Sequence, residues 1–125
     1  DGGRILFSEN DYVPYYQISQ LYRSADCFVL PTRGEGWGMP ILEAMACGKP
    51  LLLYSIEPHK EIVEVSGAGS TFSSFEPAEI VKKIEEVYRN KILYSKSALS
   101  FALSHSWKEI CKQVSNIYDD IGIDK

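Results

Sequence analysis

The chain has 125 residues, of which 45% are hydrophobic and 24% charged, and a formal net charge of -4. This size and balance suit one domain with a modest core and exclude a disordered chain. The acidic charge, with no basic run longer than Lys82-Lys83, excludes a nucleic-acid surface, and no apolar stretch approaches the roughly 20 residues of a membrane span.

Ile5-Leu6-Phe7-Ser8, after a Gly-Gly start, reads as a first strand. Pro14 sits where a helix begins, because its missing N–H costs nothing there. Ile18, Leu21, Tyr22 and Ala25 follow at spacing i, i+3, i+4, i+7, which predicts a helix over 14–25 with one face inward. Asp26 separates that helix from a strand over 27–31, whose unbroken apolar run predicts burial on both faces of a parallel sheet. A helix over 40–47 has Pro40 at its start and Gly48 just past its end. The apolar strand 51–54 comes next, then a short helical piece over 60–65 and a small strand near 70–72, with Gly67 and Gly69 marking the turn between them.

From Pro77 the pattern turns to helices only. Ile80, Val81, Ile84, Val87 and Tyr88 form one helical stripe, and Leu99, Ala102 and Leu103 mark the inner face of a helix over 93–104. Ser106-Trp107-Lys108-Glu109 reads as a capping box, in which Ser106 and Glu109 each satisfy an orphan backbone N–H. The last helix keeps Trp107, Ile110, Cys111, Val114, Ile117, Tyr118 and Ile121 on one apolar face, with Trp107 as a core anchor. Strands alternating with helices define an α/β unit over about 5–75, followed by a helical tail over about 76–121.

Cys27, Cys47 and Cys111 are odd in number and far apart, and His59 and His105 are isolated, so a structural zinc site is not expected. Free thiols, mostly buried, in a reducing cytoplasm are expected, and no basic-then-apolar leader points to secretion. The two histidines read as surface or helix-flanking residues, Met39 and Met45 as packing residues, and Asp26 as the end of a helix.

The most distinctive stretch follows the strand over 27–31: Arg33-Gly34-Glu35-Gly36-Trp37-Gly38-Met39-Pro40-Ile41-Leu42-Glu43. In parallel sheets, ligands bind beyond the carboxyl ends of the strands, and this turn lies at such an end. Gly34, Gly36 and Gly38 let the backbone bend tightly and approach a ligand, so that its amides bind it. The exposed N–H groups and positive dipole end of the next helix add to them. The amides of residues 36–39, 41 and 42 are the candidates, since Pro40 has none. Glu43, one helical turn in, leans back toward the turn, and Glu35 lies in the loop itself. Two readings of these carboxylates stand open. Glu35 is a solvated loop residue and Glu43 a carboxylate favoured by the helix dipole at about 0.3–1 kcal/mol, or both accept hydroxyl groups of a ribose and a sugar.

Residues 35–50, Glu-Gly-Trp-Gly-Met-Pro-Ile-Leu-Glu-Ala-Met-Ala-Cys-Gly-Lys-Pro, resemble the signature of the group 1 (family 4) retaining glycosyltransferases of the GT-B fold. Tyr22 to Asp26, Pro31-Thr32, Glu61-Ile62-Val63 and Ser106-Trp107 are similar to further segments of that family, so the resemblance runs over about 5–121. It implies a Rossmann-like three-layer sandwich with a parallel sheet, the C-terminal, donor-binding half of a GT-B enzyme. A nucleoside-diphosphate sugar would be the substrate and a retaining hexosyl-type transfer the reaction, in glycan biosynthesis. No cofactor and no metal are expected, in keeping with the lack of an Asp-x-Asp motif.

The resemblance implies that Glu35 contacts the donor sugar as the catalytic-site carboxylate. Gly36, Trp37, Gly38 and Met39 help hold sugar and diphosphate, and Glu43 binds the ribose hydroxyls. Glu9 to Tyr12 would lie near the base. The N-terminal acceptor domain of a parent chain would be the partner, with the parent cytoplasmic and peripherally docked at the inner face of a membrane. The family's Arg/Lys pair that steadies the diphosphate has no match here, Arg33 and Lys49 included, so this fragment alone is expected not to turn over. A non-catalytic nucleotide-sugar-binding module is the alternative. An unrelated dinucleotide-binding domain is disfavoured, since no Gly-x-Gly-x-x-Gly follows the first strand.

Overall fold

The computed structural model describes residues 13–122. The elements alternate as α1 (Tyr15–Ser24), β1 (Phe28–Leu30), α2 (Met39–Ala46), β2 (Leu51–Tyr54), α3 (Glu57–Ser66) and β3 (Gly69–Phe72). Three helices follow: α4 (Pro77–Arg89), α5 (Lys91–Ser104) and α6 (Trp107–Asp120). The strands are parallel in the order β1-β2-β3, with Phe28 opposite Leu51 and Leu53 opposite Thr71. The strand expected at 5–8 and the base-proximal segment Glu9 to Tyr12 lie outside the described residues.

Strand β2 is the centre of the core because alternate residues of a strand point to opposite faces. Leu51 and Leu53 pack with Ile41, Met45, Ile62 and Ala98 on one face, the face of α2, α3 and α5. Leu52 packs with Phe72 and Val87 on the other, where α4 lies over β2 and β3. Helices on both faces of a parallel sheet make the expected three-layer α/β arrangement. Strand β1 departs from expectation: Val29 is 41% exposed. Val29 shares the face of Leu52, but the helix covering that face sits over β2 and β3, so one side of β1 stays partly open.

Gly69 is the first residue of β3 rather than part of the preceding turn. A Cβ there would collide with the Leu51 carbonyl, so the absence of a side chain lets β3 close on β2. Gly67 ends α3 in the left-handed region, at φ 61°, the usual use of glycine after a helix.

The helices of the tail form as the periodicity predicts, but Leu99 and Leu103, expected on the inner face of α5, are exposed while Ala98 is buried, and the last helix does not bury its stripe. Trp107 is 75% exposed, and Val114, Ile117, Tyr118 and Ile121 are exposed as well. The expectation of a core anchor fails because α6 leaves the body after the break at His105-Ser106, and most of its apolar face finds no described element to pack against. Half of the capping box forms: Ser106 Oγ accepts from the Glu109 amide at 3.4 Å, with no return bond from Glu109 among the described residues. The cysteines are free, but Cys27 and Cys47 are half-buried and Cys111 is exposed, so the expected burial is not reached. Burial, then the neighbouring Asp26 charge, pushes the Cys27 thiol up. Met45 is buried as expected, whereas Met39 is exposed at the head of α2.

Candidate functional site

The loop over 31–38 leaves the carboxyl end of β1 and feeds directly into α2. Its geometry hinges on Gly38, buried and left-handed at φ 63°, which precedes the first turn of the helix. A Cβ at Gly38 would come within 2.9 Å of Ile41 Cδ1, so a side chain there is excluded by both conformation and space. Gly34 and Gly36 are different: a Cβ at either would meet nothing within 4 Å. Packing requires only the last of the three glycines, and the backbone around the first two faces open space.

The amides of Gly36, Trp37, Gly38 and Met39 have no hydrogen-bond partner among the described residues. The Ile41 amide, also a candidate on sequence grounds, is engaged by the Gly38 carbonyl at 2.8 Å. Four consecutive unpaired donors at the positive end of a helix favour an anion or a cluster of hydroxyl oxygens.

Glu43 sits on the second turn of α2, half-buried. Tyr22 of α1 donates its hydroxyl to Glu43 Oε2 at 3.1 Å. Burial first, and this bond second, push the Tyr22 phenol up to about 12, so it remains a neutral donor that orients the carboxylate. Trp37, Met39 and Glu43 line one cavity of about 580 Å³ between α2, α5 and the start of α6, with Leu42, Leu99 and Ile110 as apolar walls. Glu35 stands apart, exposed on the loop, and its Cγ lies 3.4 Å from the Cβ position of Gly38. The fold therefore gathers three of the expected residues, Trp37, Met39 and Glu43, around one cavity and leaves Glu35 outside its lining.

Three further features were not read from the sequence. Trp37 stacks on Phe101 at 6.3 Å and 16° and leans on His105 at 6.2 Å. Phe101 and His105 are themselves stacked at 3.9 Å, the i, i+4 spacing being the signal that was available. Arg33 lies over Phe75 at 4.7 Å and Tyr54 at 6.0 Å, contacts that at an exposed site contribute about 0.5–1 kcal/mol. His59, expected at the surface, is fully buried. Its Nδ1 meets the Tyr54 carbonyl at 2.7 Å; a carbonyl only accepts, so Nδ1 carries the proton. His59 Nε2 and Thr32 Oγ1 are buried without a partner among the described residues.

An α/β layer with its donors and carboxylates beyond a parallel strand belongs to the broad class that holds ligands at the carboxyl edge of the sheet. The family model for group 1 glycosyl transferases matches residues 10–102, and the chain belongs to that family. It is 31% identical to an O-antigen chain mannosyltransferase B of Escherichia coli, over 86% of this chain and 28% of that protein. An uncharacterised glycosyltransferase of Methanocaldococcus jannaschii is 27% identical over 84% of this chain and 31% of its own length. A D-inositol 3-phosphate glycosyltransferase of Geodermatophilus obscurus is 30% identical over 73% of this chain and 20% of its own length. The chain thus spans under a third of the length of these curated relatives. Among the described residues, no helix is long and apolar enough to cross a membrane.

Proposed function

We propose that this chain is the donor-binding part of a retaining glycosyltransferase that uses a nucleoside-diphosphate sugar. The observation that carries the reading is the row of unpaired amides at Gly36 to Met39, beside a Glu43 carboxylate held in place by Tyr22. Family membership supports it. In this reading the amides and the helix end face the diphosphate, where they stabilise charge developing on the leaving group. Glu43 accepts the ribose hydroxyls, Glu35 accepts a hydroxyl of the transferred sugar, and Trp37 shapes the sugar pocket. The lack of an Asp-x-Asp motif supports transfer without a metal.

The remainder of the donor domain supplies the Arg/Lys pair for the diphosphate, and an acceptor domain in the same parent chain supplies the other wall of the cleft, so this part alone does not turn over. The parent works in the cytoplasm, docked peripherally where acceptors for glycan assembly are presented; the E. coli relative, by its name, acts on O-antigen chains.

Glu35→Gln and Glu43→Gln in the full-length enzyme test the site. Each removes hydrogen bonds to a charged acceptor, about 1.5–3 kcal/mol, so kcat/KM should fall by about tenfold to a few hundredfold. The anomeric configuration of the product, read by NMR, should match that of the donor. Full activity in both variants overturns the assignment. Donor binding without transfer in the intact protein would instead favour a nucleotide-sugar-binding module.

A further inference from the structure

Arg33 stands two residues before Glu35, yet it forms no ion pair with that or any other carboxylate among the described residues. Its guanidinium turns instead to a group of rings. Tyr54 closes β2, Phe72 closes β3, and Phe75 follows β3. Tyr54 and Phe75 stack at 5.0 Å and 24°, and Phe72 meets both edge-on, at 5.6 and 5.7 Å. Tyr54 at the end of β2 and Phe75 just beyond β3 therefore both meet the cation that follows β1, at the edge of the sheet where ligands sit.

The rings hold the guanidinium by cation–π contact, at 4.7 and 6.0 Å, rather than by hydrogen bonds, so these contacts do not occupy its N–H donors. The N–H donors of Arg33 have no hydrogen-bond partner among the described residues, and a planar fork of free donors matches the oxygens of phosphate. Lys49, just past the far end of α2, is occupied by the Arg23 and Ala25 carbonyls at 3.0 and 2.9 Å. Those bonds hold the end of α1 and commit the Lys49 ammonium to backbone carbonyls.

We propose that Arg33, oriented by Phe75 and Tyr54, is a phosphate-binding residue that receives the diphosphate of a ligand seated on the loop over 34–39. The inference rests on the proposed function in its choice of loop, but it assigns a residue outside the Glu35, Glu43 and backbone-amide set. The diphosphate arrives either on the sugar donor or on a diphosphate-bearing acceptor.

The test measures inorganic pyrophosphate binding to the full-length protein by calorimetry. Arg33→Ala should raise the Kd by about tenfold or more. Arg33→Lys keeps the charge but loses the planar fork, and Phe75→Leu keeps the arginine but loses its platform. Both should weaken binding several-fold, with circular dichroism unchanged. An unaltered Kd in Arg33→Ala overturns the proposal.

Steady-state kinetics of Arg33→Ala then separate the sources. A rise in KM for the donor alone assigns the phosphate to the donor, a rise for the acceptor alone assigns it to the acceptor, and no rise in either overturns the proposal. If Glu35→Gln and Glu43→Gln leave transfer intact, the donor-site reading fails while the pyrophosphate result on Arg33 still stands.

Discussion

Tyr22 and Glu43 are separated by 21 positions in the chain and joined by one hydrogen bond. The bond makes the carboxylate directional, and burial makes the phenol a weak acid, with its titration pushed up to about 12. Folded Tyr22 holds its proton more tightly than an unfolded tyrosine, whose ordinary value is 10. The stabilisation is therefore complete below pH 10 and fades as pH rises toward 12. Tyr22→Phe should remove that loss: thermal melts at pH 9 and 11 should show a larger drop for the parent sequence than for the variant. The helical spacing of Ile18, Leu21 and Tyr22 predicts an inward face that α1 only partly realises, with Tyr22 half-buried and Leu21 exposed, and it could not say which acid Tyr22 meets, because no local rule reaches across two elements. Glu35 and Glu43 stood out as candidates because both lie in one short motif of glycines, proline and carboxylates, but the motif did not say that only Glu43 would line the cavity. The buried His59 was missed because its environment is set by the carbonyl of Tyr54, at the end of another element.

At the scale of elements, the glycines divide by what surrounds them. Gly69 is needed because β3 touches the Leu51 carbonyl, while Gly34 borders open space. Gly69→Ala should destabilise the fold by about 1–3 kcal/mol, the usual cost of overpacking, and Gly34→Ala should change urea unfolding by no more than about 0.5 kcal/mol. The sequence marked both as flexible points alike, since composition cannot say how closely two strands approach. Helix positions were readable from periodicity, and strand β2 from its apolar run over 51–54. Which side a helix buries was not always readable. The stripe of α6 is regular, but a stripe reports only an apolar face and not the presence of something to cover it.

For the molecule as a whole, stability resides in the two layers built on β2. Leu53, fully buried between the sheet and its helices, should cost about 2–5 kcal/mol on replacement by alanine. Ile117, exposed on α6, should cost within about 0.5 kcal/mol on replacement by lysine. Urea titrations of the two variants would check the contrast; equal losses would mean that the open helix carries as much of the fold as the sheet does. The parallel three-layer plan was legible because strands and helices alternate in the chain, and alternation leaves few ways to cover a sheet on both sides. The openness of β1 was not, since an apolar strand reads the same in the middle of a sheet as near its rim.

The strand order has a consequence for assembly. β1 pairs with β2 and β2 with β3, so each strand lies beside the one made just before or after it. During synthesis a strand and its connecting helix can dock onto the unit already formed, without waiting for a distant part of the chain. Within the described residues, the order of translation and the order of sheet growth are the same.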